Sequence, residues 1–95
     1  MYDVAICGLG RGGSLARMFP LFDDCRISAV CDLDEAILAE FGRRHPGVLC
    51  FTDYEEMLAS SPDICVVASP VALHAEHSIA ALHAGCHVLQ EVYLD

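Results

Sequence analysis

The run from Val4 to Gly13, VAICGLGRGG, constrains this chain more than any other feature: a short apolar stretch stops abruptly at a GxGxxG loop formed by Gly8, Gly10 and Gly13. A strand that ends in such a loop and reopens as a helix aims free backbone N–H groups at a phosphate. In that arrangement Gly8 permits the tight turn, Gly10 lets a pyrophosphate approach the backbone, and Gly13 lets helix and strand pack closely. A glycine pattern alone is a weak signal, because glycine loops also end ordinary strands.

A second feature agrees with the first. The apolar run Ile27 to Cys31 leads directly into Asp32, nineteen positions after Gly13, close to the spacing of an acid that binds a ribose hydroxyl. The plainer role for Asp32 is a helix N-cap, which Asp34 could fill equally well. The two roles can hold at once, since Asp32 lies at the carboxyl end of the strand.

The chain has 95 residues, 55% of them hydrophobic and 20% charged. A single compact α/β domain over residues 1–95 is expected, since a chain this short buries only about 60 to 65% of its unfolded surface. No apolar run is long enough to cross a bilayer. A strand is expected to begin close to Met1, leaving no room for a targeting segment, so a cytoplasmic location is the expectation. Fourteen acids face five arginines and no lysine, a net charge of −9, which argues against nucleic acid and anionic membranes as partners. Without lysine there is no Schiff base and no lysine phosphate clamp, so phosphate binding falls to backbone amides and to Arg11, whose plainer role is a solvated loop residue.

Of the six cysteines, Cys7, Cys31, Cys50 and Cys65 sit within or at the ends of apolar runs and read as small buried thiols rather than disulfide partners. His83, Cys86 and His87, or His74 and His77, could begin a metal site, but neither group has a second pair at zinc spacing, and no metal is expected.

Strands and helices alternate without repeats or a linker, the order of βαβ units. The first helix carries Leu15, Phe19 and Phe22 on one face and is curtailed by Pro20. The next runs from Asp34 to Phe41, with Ile37, Leu38 and Phe41 inward and Gly42 as its stop. A third strand is expected over Val48 to Phe51. Thr52 with Glu55, or Asp53 with Glu56, offers a capping box for a short helix ending at Ser60 or Ser61. Ile64 to Ala68 is a fully apolar central strand, a helix over about Ala72 to Ala84 stops at Gly85, and Cys86 to Gln90 closes the series. Right-handed crossovers then predict a doubly wound parallel sheet of order 3-2-1-4-5, with the glycine loop, Asp32, Ser69, Pro70 and Glu91 around the crevice where the order reverses.

Over nearly its whole length the chain resembles the amino-terminal half of the glucose-fructose oxidoreductase and inositol dehydrogenase family, Gfo/Idh/MocA. The resemblance rests on CGLGRGG at Cys7 to Gly13, VCDLDE at Val30 to Glu35, TDYEEML at Thr52 to Leu58, and SPVALHAEHSIAALHAGCHVLQE at Ser69 to Glu91. It implies a Rossmann domain that binds NAD or NADP, followed in the family by an α/β domain that holds a sugar, polyol or related substrate. The residues it assigns to the cofactor are Gly8, Leu9, Gly10, Arg11, Gly12 and Gly13 in the loop, Asp32 at the adenosine ribose, Ser69 and Pro70 beside the nicotinamide half, and His74 and Glu91 nearby. No catalytic residue carries over. Where the family reads Glu-Lys-Pro after the fifth strand, this chain has Glu91-Val92-Tyr93, and Val92 can neither donate nor relay a proton.

The chain stops at Asp95, where the family is finishing its cofactor domain. The expectation is a fragment, truncated before the C-terminal α/β substrate domain, with weak cofactor affinity and substrate contact only through that domain; the full-length protein is expected as a homo-oligomer. NAD is expected over NADP, because a 2′-phosphate adds about −1.5 to −2 charge and Asp32 would face it with no arginine at positions 33 to 36. Two other functions fit part of the pattern. One is a sensor that binds NAD without turnover, favoured by Val92. The other is an S-adenosylmethionine methyltransferase domain, disfavoured because Cys7 stands where its acid is usual.

Overall fold

The computed structural model describes residues 1–9, 23–69 and 71–90. The five strands are β1 (Tyr2–Cys7), β2 (Cys25–Cys31), β3 (Leu49–Phe51), β4 (Ile64–Val67) and β5 (His87–Gln90). All pair in parallel, in the order β3-β2-β1-β4-β5. The described helices are α1 (Glu35–Arg44), α2 (Tyr54–Ala59) and α3 (Val71–His83). Strand order and all five strands match the sequence expectation. The helix expected to carry Leu15, Phe19 and Phe22 lies outside the described residues.

Strand side chains alternate between two cores. Ala5, Cys7, Cys31, Cys65 and Val67 face α2 and α3, packing with Met57, Leu58 and Ala81. Val4, Ile6, Val30 and Val66 face the other way, toward Leu38 of α1. Burial on both faces is why the central strands read as continuous apolar runs. One residue in β2 is extra: the register with β1 shifts between Val4 and Ala5, pairing Val4 with Ile27 but Ala5 with Ala29. Ser28 takes up the slack as a bulge. Ile27 can therefore pack with Val4 on one face while Ala29 packs with Ala5 on the other, which uninterrupted period-two alternation would forbid.

Three local expectations are corrected. Gly42 does not stop its helix: α1 continues through Arg44, with the His45 amide donating to Phe41 O at 2.9 Å. The left-handed residue that breaks the path is Gly47, φ 99°. The extra turn is held by Arg43 and Arg44, which both pair with Glu40 and sit favourably at the helix carboxyl end. Ile37 is exposed rather than inward, since the buried stripe of α1 runs through Leu38 with Phe41 half-buried beside it. Cys50 is exposed as well, because β3 is a three-residue strand at the edge of the sheet, paired with β2 alone.

The start of α2 resolves the two capping schemes. Asp53 is the N-cap, its carboxylate accepting from Glu55 N at 2.9 Å and Glu56 N at 3.3 Å. A six-residue helix gains little from propagation, so its cap matters in proportion. Asp53→Ala is expected to lower global stability by about 1 kcal/mol in a denaturant titration.

Candidate functional site at the carboxyl edge of the sheet

At the exit of β1 the chain passes Gly8 with φ 95°. A Cβ placed there would lie 2.7 Å from both the carbonyl carbon and oxygen of Ala68 and 2.8 Å from Ser69 N. Only glycine fits, on steric and conformational grounds together. The position is held on both sides: Gly8 N donates to Cys31 O at 2.9 Å and Ala68 N donates to Cys7 O at 2.8 Å. The ends of β2, β1 and β4 thus meet at the reversal of strand order, where α/β sheets place their ligands.

Asp32 sits half-buried at the end of β2. Its Oδ2 accepts from Leu9 N and its Oδ1 from Asp34 N, both at 2.9 Å. The N-cap of α1 is Asp34, which accepts from Ala36 N and Ile37 N. Asp32 is therefore not the cap. It ties the first residue after Gly8 to the end of β2. A carboxylate has about four lone-pair positions, so two donors leave room for ligand hydroxyls.

Ser69, which is 4% exposed, lies two residues beyond β4 and is gripped from α3. His74, itself 5% exposed, reaches Ser69 O through Nε2 at 2.5 Å. His77 reaches Ser69 Oγ through Nδ1 at 2.7 Å, and the same nitrogen lies 3.6 Å from Cys7 Sγ. The His77 ring packs on Tyr54 with centroids 4.3 Å apart, and the Tyr54 hydroxyl donates to His77 O at 2.6 Å. Burial lowers the His77 pKa and drives that of Tyr54 far up. The Cys65 thiol is likewise pushed up by burial to about 11. Cys7 is held protonated by its hydrogen bond to Cys31 and by burial. Tyr54, Cys65, Cys7 and His77 are accordingly uncharged at physiological pH.

These groups enclose a cavity of about 250 Å³ that reaches from Asp32 and Leu33 past Gly8 to Ser69, Leu73 and His77. Apolar walls with a few convergent polar groups suit a flat, partly polar ligand. No arginine among the described residues lies on it: Arg26 pairs with Asp3, and Arg43 and Arg44 pair with Glu40.

Of the residues expected at the cofactor, Gly8, Asp32 and Ser69 line this cavity together. Leu9 is buried and meets Asp32 through its amide. His74 supports Ser69 from behind. Gly10, Arg11, Gly12, Gly13, Pro70 and Glu91 lie outside the described residues. Sequence reasoning missed Tyr54 and His77 as wall residues. It considered His77 only as half of a metal pair, whereas His74 and His77, three apart on α3, both engage Ser69. The available signal was that i, i+3 spacing on a helix that opens at the crevice.

A model of the GFO_IDH_MocA family, described as an oxidoreductase family with an NAD-binding Rossmann fold, matches residues 2–92. The chain belongs to this family. Within Gfo/Idh/MocA it is 34% identical to D-glucoside 3-dehydrogenase of Escherichia coli (strain K12) over 91 residues, 93% of this chain and 26% of the relative. It is 36% identical over 70 residues, 73% of this chain, to a scyllo-inositol 2-dehydrogenase (NADP(+)) of Bacillus subtilis (strain 168), covering 21% of it. Scyllo-inositol dehydrogenase from Lactobacillus casei, solved with bound NAD(H) and scyllo-inositol, superposes with a TM-score of 0.82 at 26% identity, over 95% of this chain and 27% of that one. The chain thus spans about a quarter of the length of these Gfo/Idh/MocA relatives and corresponds to their nicotinamide-dinucleotide-binding Rossmann domain. Membership of an oxidoreductase family leaves no basis for the methyltransferase reading.

Because backbone rather than side chain faces Gly8, Gly8→Ala is expected to cost about 3–5 kcal/mol, combining left-handed strain with overpacking. Gly85→Ala, at φ 89° but with nothing within 4 Å, should cost only about 1–2 kcal/mol. Thermal or denaturant unfolding of the two variants side by side measures the difference.

Proposed function

We propose that this domain binds NAD in preference to NADP, as the cofactor half of an oxidoreductase that moves hydride between the cofactor and a sugar, polyol or related hydroxyl substrate. The observation that carries the cofactor choice is Asp32: half-buried, with both oxygens already fixed by amides, and with Asp34 two residues on. A carboxylate so fixed cannot swing away from a 2′-phosphate, and no arginine of the described part lines the cavity to compensate. Gly8, Asp32 and Ser69 fit a dinucleotide, with Asp32 accepting from ribose hydroxyls and the tight Gly8 turn keeping the loop backbone clear of side chain. The bound nicotinamide supplies the hydride chemistry. What the described residues contribute is binding and orientation.

The substrate class rests on the relatives, a glucoside dehydrogenase and two inositol dehydrogenases. A second reading, a domain that binds NAD without turnover, is favoured by Val92 in the place of the family's lysine.

In a calorimetric titration NAD is expected to bind at micromolar or weaker concentration and at least about tenfold tighter than NADP, which corresponds to about 1.4 kcal/mol. Asp32→Ala should erase most of that preference. Tighter binding of NADP, unchanged by Asp32→Ala, would remove Asp32 from the role assigned to it.

A further inference from the structure

His74 and His77, one turn apart on α3, hold Ser69 at two different atoms, and the contact at the hydroxyl has a directional consequence. The Nδ1 of His77 faces Ser69 Oγ at 2.7 Å and Cys7 Sγ at 3.6 Å. Ser69 is buried, and among the described residues its Oγ has His77 Nδ1 as its one hydrogen-bond partner; a buried O–H needs an acceptor, which makes Nδ1 the acceptor nitrogen of the neutral imidazole, with the ring proton on Nε2. With its proton committed to His77, Ser69 turns lone pairs toward the cavity that both residues line.

We propose that His77 sets the hydrogen-bond polarity of Ser69, so that this wall of the cavity presents an acceptor and selects a ligand O–H or N–H over a phosphate oxygen. The proposal rests on the dinucleotide reading of the same cavity and adds which kind of cofactor atom meets Ser69: a ribose hydroxyl or an amino or amide nitrogen. Protonating His77 reverses the arrangement. A proton taken from solvent onto Nδ1 makes that nitrogen a donor, Ser69 Oγ must accept from it, and the serine proton turns into the cavity.

The groups facing His77 come from every neighbouring element. Cys7 is on β1; Tyr54 and Glu55 are on α2; His74 and Glu76 are on its own helix; Cys31 and Asp32 of the β2 end share the cavity. Burial and His74 disfavour the imidazolium, while Glu76 and Glu55 favour it, and the balance lowers the pKa. The neutral, acceptor form is therefore the one present at neutral pH, and acidification removes it.

The test is calorimetric titration of the 95-residue protein with NAD at about pH 7.5 and about pH 5.0, the lower value set well below the ordinary imidazole range because burial lowers the His77 pKa, with folding verified at both by circular dichroism. Wild-type affinity should fall about fivefold on acidification, the loss of one hydrogen bond. His77→Leu should bind weakly at both pH values. His77→Asn, whose Oδ1 can accept near the Nδ1 position but does not titrate, should recover affinity over His77→Leu and show no fall with pH. In a Ser69→Ala background the difference between the Asn and Leu variants should vanish. Adenosine monophosphate and nicotinamide mononucleotide as separate probes identify which half of the cofactor supplies the donor, as the half that reproduces the fall. Affinity that rises on acidification, the sign expected if the imidazolium simply attracts the pyrophosphate, overturns the proposal. So does a fall that persists in His77→Asn. Failure to bind NAD at either pH overturns the dinucleotide reading itself, whereas binding with a flat wild-type profile overturns only the assignment of His77.

Discussion

Everything at the carboxyl edge of this sheet depends on the backbone of Gly8 lying against the backbone of Ala68 and Ser69. With a Cβ position only 2.7 Å from the Ala68 carbonyl, the ends of β1 and β4 can approach to this distance only because one of them carries no side chain there. That approach brings Ser69 within the same cavity wall as Asp32, although the two residues are far apart in the sequence. A wider separation would leave a glycine loop and a serine turn that do not address one ligand.

Around this contact the protein relies on neutral and backbone groups rather than cations. The acidic balance of the chain and the ion pairs that occupy its described arginines leave amides, one fixed carboxylate and two histidines to define the site. Asp32 is oriented by two amides and Ser69 by two imidazoles. Groups held by their own hydrogen bonds do not need to reorganise on binding, which is the physical meaning of preorganisation here.

Much of the architecture was legible in the sequence, because apolar runs bounded by glycine and acid caps carry both the strand positions and the crossovers. Gly85 and the apolar strand of β4 were placed from local chemistry, which narrowed the cap of α2 to Thr52 or Asp53. The misplacements share a cause. Gly42 looks like a stop only when the helix is judged residue by residue; Glu40 with Arg43 and Arg44, together with the groove beside Cys50, carries the helix past it. Cys50 and Ile37 look buried by hydropathy, but an edge strand and the margin of a helix stripe expose them. At the site, His77 was visible as a residue and not as a partner, since nothing local says that α3 returns it to Ser69 and Cys7.

By itself the sequence determined the order of elements and the parallel topology, since these follow from periodicity, capping and the handedness of crossovers, while the family was legible through the resemblance of its sequence blocks. Only the tertiary structure decided which of two neighbouring aspartates caps α1 and which ties the glycine loop, and that one histidine nitrogen serves both a serine and a cysteine. The reason is that hydrogen-bond partnership depends on distances between segments far apart in the chain. Those distances are set by how two cores pack on opposite faces of the sheet.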